Sequence, residues 1–148
     1  MGAFTDTSTD DRLVAALRES GHRVTSQRLV LYRVLNGLAR HATAEEVLRE
    51  SAPLLPGLSL PTVYATLDLF DRLGVARRVD GAGNAALYDP RTDAHHHFQC
   101  RTCGRVLDVE ATIDERRLTA AARAAGAEVD TVDVMLRGLC ADCRAVNA

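Results

Sequence analysis

Four cysteines stand in this chain as two pairs, Cys100-Arg101-Thr102-Cys103 and Cys140-Ala141-Asp142-Cys143. Two C-x-x-C pairs are the smallest unit that supplies a closed tetrahedral thiolate cage for zinc, with no coordination position left for a substrate. Disulfides, buried free thiols and a redox-active dithiol are the competing uses of such residues. Disulfides need an oxidising compartment, yet Met1 to Asp11 is acidic and lacks the basic stretch and apolar centre of a secretory signal. No apolar run is long enough to span a membrane, and Asp6 stands where a myristoylation motif needs Ser or Thr. A cytoplasmic, reducing setting is therefore expected, with structural Zn²⁺ as the use of Cys100, Cys103, Cys140 and Cys143.

Directly before Cys100 lies a second cluster, His95-His96-His97. On extended chain successive side chains alternate faces, so His95 and His97 share one side and His96 turns away. Two histidines on one face want a carboxylate to complete a divalent-metal site. Asp89, before the intervening turn, and Asp108, on the next expected strand, are the nearby candidates. His41 is a further lone histidine, and spacing alone makes it an exposed loop residue.

The elements that must position these groups follow from local signals. Asp11 to Ser20 carries Leu13, Val14 and Leu17 at helical spacing and stops at Gly21. Thr25 caps a second helix with an apolar face of Leu29, Val30, Tyr32, Val34, Leu35 and Leu38. Thr43-Ala44-Glu45-Glu46 is a capping box that opens a third. Ser59 and Pro61 announce a fourth, with Val63, Leu67 and Phe70 as its core face and Tyr64, Asp68 and Asp71 off it, ending near Leu73 before Gly74. Val75 to Val79 and Ala85 to Tyr88 are β-prone runs joined by the turn-forming stretch Asp80 to Asn84. Helices followed by a small hairpin describe a winged helix. Beyond it, His97 to Arg101, Arg105 to Val109 and Val129 to Leu136 read as strands, and Ile113 to Ala125 as a helix ended by Gly126. This tail of about sixty residues is marginal as an independent core, and a metal staple would supply what it lacks.

Composition narrows the partners only locally. The chain has 148 residues, a net charge of −2 and a hydrophobic fraction of 47%, which gives no global sign of nucleic acid. It has no lysine. Five arginines (Arg18, Arg23, Arg28, Arg33, Arg40) face a single acid, Glu19, between positions 18 and 40. Such a stretch fits a phosphate-facing surface or a solvated helix face.

The runs Gly21-His22-Arg23-Val24-Thr25-Ser26-Gln27-Arg28, His41-Ala42-Thr43-Ala44-Glu45-Glu46 and Ser59-Leu60-Pro61-Thr62-Val63-Tyr64 now carry a resemblance. Together with His95-His96-His97-Phe98-Gln99-Cys100 and both cysteine pairs, they make the chain resemble the ferric uptake regulator family over essentially its whole length. The resemblance implies an α+β protein: a winged-helix DNA-binding domain over 1–88, a hinge at 89–94 and a dimerisation and metal-binding domain over 95–148. It implies a homodimeric, metal-dependent repressor, not an enzyme, acting on a palindromic operator in double-stranded DNA. Carried over by position, the regulatory site is His41, Asp89, His95, His97 and Asp108. Two Asp ligands match the peroxide-sensing branch, in which Fe²⁺ at this site would direct peroxide onto His41 or His95. Nitrogen and oxygen donors of this hardness suit Fe²⁺ or Mn²⁺. A third site of some relatives would draw on Ala94, His96, Glu115 and Val132; Ala94 and Val132 cannot ligate, so that site is expected to be absent and His96 to be a bystander.

The same resemblance makes Tyr64 a base-contacting residue whose ring can pack on a thymine methyl, with Arg23 and Arg28 on phosphate or in the minor groove. Ser59 and Thr62 can donate to phosphate at the helix N-terminus. The family often has Arg after that tyrosine, whereas Ala65 stands here. Iron- or nickel-level control is the alternative within the regulator class. An enzyme built on a two-histidine, one-carboxylate iron site, and a thiol oxidoreductase, are the alternatives outside it.

Overall fold

The computed structural model describes residues 7–81 and 85–146. The chain divides into two compact units, Met1–Thr92 and Asp93–Ala148. The division falls within the stretch 89–94 expected as a hinge.

The first unit is helical with a small sheet. Helix α1 (Thr7–Glu19) starts four residues before the expected Asp11 and buries Leu13 and Leu17 completely. Helix α2 (Ser26–Leu38) begins where the Thr25 side chain accepts from the Arg28 amide. Its core residues are Leu31, Tyr32 and Leu35. Leu31 was absent from the expected apolar face, whereas Leu29, Val34 and Leu38 are only partly buried against the core. Strand β1 (Ala42–Thr43) leads straight into helix α3 (Ala44–Ser51), whose capping box is complete: Thr43 accepts from the Glu46 amide and Glu46 from the Thr43 amide.

Helix α4 (Leu60–Arg72) is capped by Ser59 and carries Pro61 in its first turn. It buries Val63, Leu67 and Phe70, and also Thr66 and Leu69. Gly74 closes it at φ 68°, letting the Val75 amide reach back to the Phe70 carbonyl. Strands β2 (Arg77–Asp80) and β3 (Ala86–Asp89) pair antiparallel, beginning later than the expected runs because Val75 and Ala76 are spent burying the end of α4 in the core. The turn residues 82–84 lie outside the described residues. Strand β1 joins the other edge, giving the order β1-β3-β2, with only Ala42↔Tyr88 and Thr43↔Leu87 in register. A two-residue strand has no periodicity to detect, so it is not legible from local pattern.

In the second unit, β4 (His96–Cys100) is central, flanked by antiparallel β5 (Val106–Val109) and parallel β6 (Met135–Gly138). The strand expected over Val129 to Leu136 is corrected to these four residues. β6 keeps strand geometry only where His97 to Cys100 offer a partner, and 127–134 form no regular element. Helix α5 (Glu115–Ala124), capped by Asp114, and helix α6 (Ala141–Val146) bury no residue. Among the described residues, no helix is long and apolar enough to cross a membrane.

Candidate metal centres and nucleic-acid interface

The two cysteine pairs meet. Cys100 ends β4, Cys103 follows in the turn to β5, Cys140 follows β6, and Cys143 lies in α6. Their four Sγ atoms all lie within 4.8 Å of one another. Cys103 and Cys140 Sγ are 3.8 Å apart. A tetrahedron with ~2.3 Å zinc–sulfur bonds has edges of about 3.8 Å, which is the Cys103–Cys140 separation, so the set of thiols suits zinc. The electrostatics agree. Backbone N–H groups of Cys103 and then Cys140 pull the Cys100 thiol down to about 6, the Cys140 amide lying 3.4 Å from Cys100 Sγ. Cys143 shifts up, because its thiol hydrogen-bonds to Cys140 and burial disfavours its charge. Of these two, Cys100 is the more readily ionised thiol, and filling the cage with metal releases protons.

The second unit also brings His95, His97 and Asp108 together, with one ligand atom from each within 4.8 Å of the others. The rings of His95 and His97 sit 4.5 Å apart, as alternation along the strand predicts. His95 Nδ1 lies 2.8 Å from the Asp93 carbonyl, so a proton on Nδ1 is donated there and the Nε2 lone pair faces outward. That Nε2 stands 3.5 Å from Asp108 Oδ1. A ring nitrogen and a carboxylate oxygen so placed are two donors that one divalent ion could share. His96 points to the opposite face and is buried rather than solvent-exposed.

A similar pair forms in the first unit. His41, immediately before β1, sets its Nε2 3.3 Å from Asp89 Oδ2 at the end of β3. The Asp89 carboxylate is itself oriented, because Oδ1 accepts from the Arg91 amide at 2.8 Å. Only 7% of the His41 side chain is exposed, which corrects the expectation of an exposed loop residue. The β1–β3 pairing brings it to Asp89, and no local sequence pattern encodes that pairing. Both His–Asp pairs thus offer hard nitrogen and oxygen donors of the kind that hold divalent iron or manganese.

The expected DNA contacts divide into two places. A cavity of about 720 Å³ opens between residues 21–28 and α4, and Arg23, Arg28 and Thr62 all line it. His22, Gln27 and Ala65 line it as well. Their places in the chain, His22 next to Arg23 and Gln27 next to Arg28, were the available signal for them. Arg28 Nη1 donates to the Arg23 carbonyl at 2.5 Å, which fixes the guanidinium against this loop. The Ser59 and Thr62 hydroxyls are 2.8 Å apart at the α4 N-terminus. Tyr64 lies outside the cavity lining. Its hydroxyl donates to Glu45 Oε1 at 3.1 Å, and that bond raises the phenol's pKa and keeps it a donor. Tyr88 is buried, and burial together with a 2.7 Å bond to Asp68 Oδ1 also raises its pKa. Sequence reasoning did not find Glu45 or Tyr88.

Comparison with known proteins agrees with this arrangement. The model of the ferric uptake regulator family matches residues 19–137. Ferric uptake regulation protein 1 of Mycolicibacterium fortuitum is 36% identical over 122 residues, covering 80% of this chain and 74% of that protein. The peroxide-responsive repressor PerR of Staphylococcus aureus is 31% identical over 97 residues, 66% of each chain. The structure of the ferric uptake regulator from Pseudomonas aeruginosa with manganese superposes with a TM-score of 0.70 at 26% identity, covering 86% of this chain and 96% of that one. With a helical unit bearing a small wing, a thiolate cage and two His–Asp pairs, this chain belongs to the ferric uptake regulator family of metal-responsive transcriptional regulators.

Proposed function

We propose that the protein is a cytoplasmic, homodimeric repressor whose grip on a palindromic operator is set by one exchangeable Fe²⁺ or Mn²⁺ ion. His41 and Asp89 supply donors from residues 1–92, and His95, His97 and Asp108 from residues 93–148. Zn²⁺ in the cysteine cage is structural. The observation that carries this reading is the pair of oriented His–Asp contacts, one in each compact unit, each with its nitrogen aimed at a carboxylate oxygen. An ion bound by both pairs favours one relative orientation of the units, and DNA affinity changes by the difference in metal affinity between orientations. The similarity to the Pseudomonas aeruginosa regulator, whose structure is with manganese, is consistent with a manganese-binding protein.

Peroxide is the signal that two Asp ligands favour, and the similarity to PerR is consistent with it. Ferrous iron, when bound, supplies reductive cleavage of peroxide at the site. His41 and His95 are the rings placed to take up one oxygen atom, the other leaving as water. An oxygenated imidazole is a weaker base, so the His–Asp pair loses its hold. Operator binding should be measured with Mn²⁺ and with Fe²⁺, before and after a peroxide dose. Loss of at least about tenfold in affinity only in the Fe²⁺ sample, with added oxygen on peptides carrying His41 or His95, is the expected result. Equal persistence in both samples would instead establish control by metal level.

The dimer has its own support. Register places Leu107, Phe98 and Leu136 in one row across β5, β4 and β6. Leu107 and Leu136 are 43% and 48% exposed, and Leu118 on α5 is 51% exposed. A second copy of the same unit is the occupant proposed for this apolar face. Leu107→Glu combined with Leu136→Glu should sediment as a monomer and bind the operator more than about tenfold more weakly. A dimer that survives both changes would exclude this face.

A further inference from the structure

The helix assigned to DNA is joined to the His41–Asp89 pair by a contact that the metal site does not itself require. Asp89 is the last residue of β3, and its neighbour Tyr88 therefore points to the other face of the strand. Tyr88 is fully buried, and its hydroxyl donates at 2.7 Å to Asp68 Oδ1 on α4. Asp68 follows Tyr64 by one helical turn, so both lie on the same side of α4. Arg78 on β2 adds a contact of 3.3 Å from Nη1 to the same Asp68 oxygen, while its amide donates to Asp71 at 2.8 Å. The hairpin is thus fastened to the recognition helix at Asp68 and Asp71.

The other end of the connection is the weak ladder between β1 and β3. It has only two residue pairs, and Tyr88 forms one of them with Ala42. His41 precedes β1 and Asp89 ends β3, so a cation held by that pair closes the ladder beside Tyr88. Without the cation, two backbone pairs hold the β1 side of Tyr88, while the longer β2 ladder holds its other side.

We propose that the Tyr88–Asp68 hydrogen bond couples occupancy of the His41–Asp89 pair to the pose of α4, which makes Tyr88 a positioning residue for DNA recognition. The inference rests on the reading of His41 and Asp89 as regulatory ligands. It adds a defined contact whose strength differs between the metal-bound and metal-free states, as any coupling between two sites requires.

The test uses the full-length, zinc-containing protein and compares operator affinity with and without Mn²⁺. Tyr88→Phe keeps the buried ring and removes only the hydroxyl. It should leave metal-free affinity within about twofold, while the Mn²⁺-induced gain falls about five- to tenfold. By reciprocity, the operator-induced gain in Mn²⁺ affinity falls by the same factor, which a merely structural role would not produce. Asp68→Ala, at a side chain 36% exposed and so tolerant of truncation, should show the same loss. The double variant should be no worse than either single one. An unchanged Mn²⁺ gain in both single variants, with Asp89→Ala abolishing it, overturns the coupling and leaves the metal reading intact. A full gain in Asp89→Ala overturns the metal reading, and the coupling with it.

Discussion

Cys140→Ser is expected to release zinc and unfold residues 93–148, while the helical core of residues 7–92 survives. The reason is where apolar burial lies. The continuous core runs from Leu13 to Tyr88 and includes no residue of the second unit. In that unit the fully or nearly buried groups are largely polar or sulfur-bearing: His95, His96, His97, Gln99, Cys100 and Cys140, with Val106 as the buried aliphatic side chain. Neither α5 nor α6 buries a residue. A structural thiolate site contributes apparent binding energies of ~10–16 kcal/mol, far more than so small an apolar set supplies. Cys140 holds two of its connections, since its sulfur belongs to the cage and its amide bonds to Cys100 Sγ. Zinc content should fall from full occupancy to a small fraction, and limited proteolysis should remove the tail and leave a protected fragment ending near Thr92. A variant that kept its zinc and resisted the protease would show that the second unit folds on other terms.

His41→Ala is expected to remove the metal response and leave the fold intact. The side chain lies beside a two-residue ladder and outside the continuous apolar core, so truncation leaves that core intact while emptying a largely buried position. Its loss leaves Asp89 without its nitrogen partner at 3.3 Å and as the remaining proposed donor from residues 1–92. Removing one donor from a shared site costs on the order of 100-fold in metal affinity, and here it also weakens the link through which affinity becomes orientation. Operator titrations should give the same weak binding with and without Mn²⁺. The metal-free protein should remain folded, with a melting temperature lowered by the emptied buried position. A preserved Mn²⁺ gain would mean that the response does not depend on His41.

Local chemistry made much of this legible in the sequence. Thr25, the Thr43–Glu46 capping box, Ser59 and Gly74 each mark a helix end through contacts a few residues away, and each stands where those rules put it. The cysteine pairs were equally plain, because two adjacent donors at fixed spacing predefine half a cage. What escaped depends on contacts distant in the chain. Strand β1 exists only because Tyr88 and Leu87 offer it a partner, and His41 is buried for the same reason. The alternation over 129–136 suggested a long strand, but pairing with β4 sustains only Met135–Gly138. Leu31 escaped because the helical period was anchored one residue to either side of it. The bonds of Tyr64 to Glu45 and of Tyr88 to Asp68 join separate elements, and periodicity carries no trace of such pairs.

The central claim is that one ion takes donors from both units, and electron–nuclear double resonance on the Mn²⁺-loaded, zinc-containing protein tests it most directly. The account predicts nitrogen couplings from His41, His95 and His97 at a single manganese, with the His41 coupling absent in His41→Ala. A wild-type spectrum with only two histidine nitrogens, unchanged by His41→Ala, would contradict it.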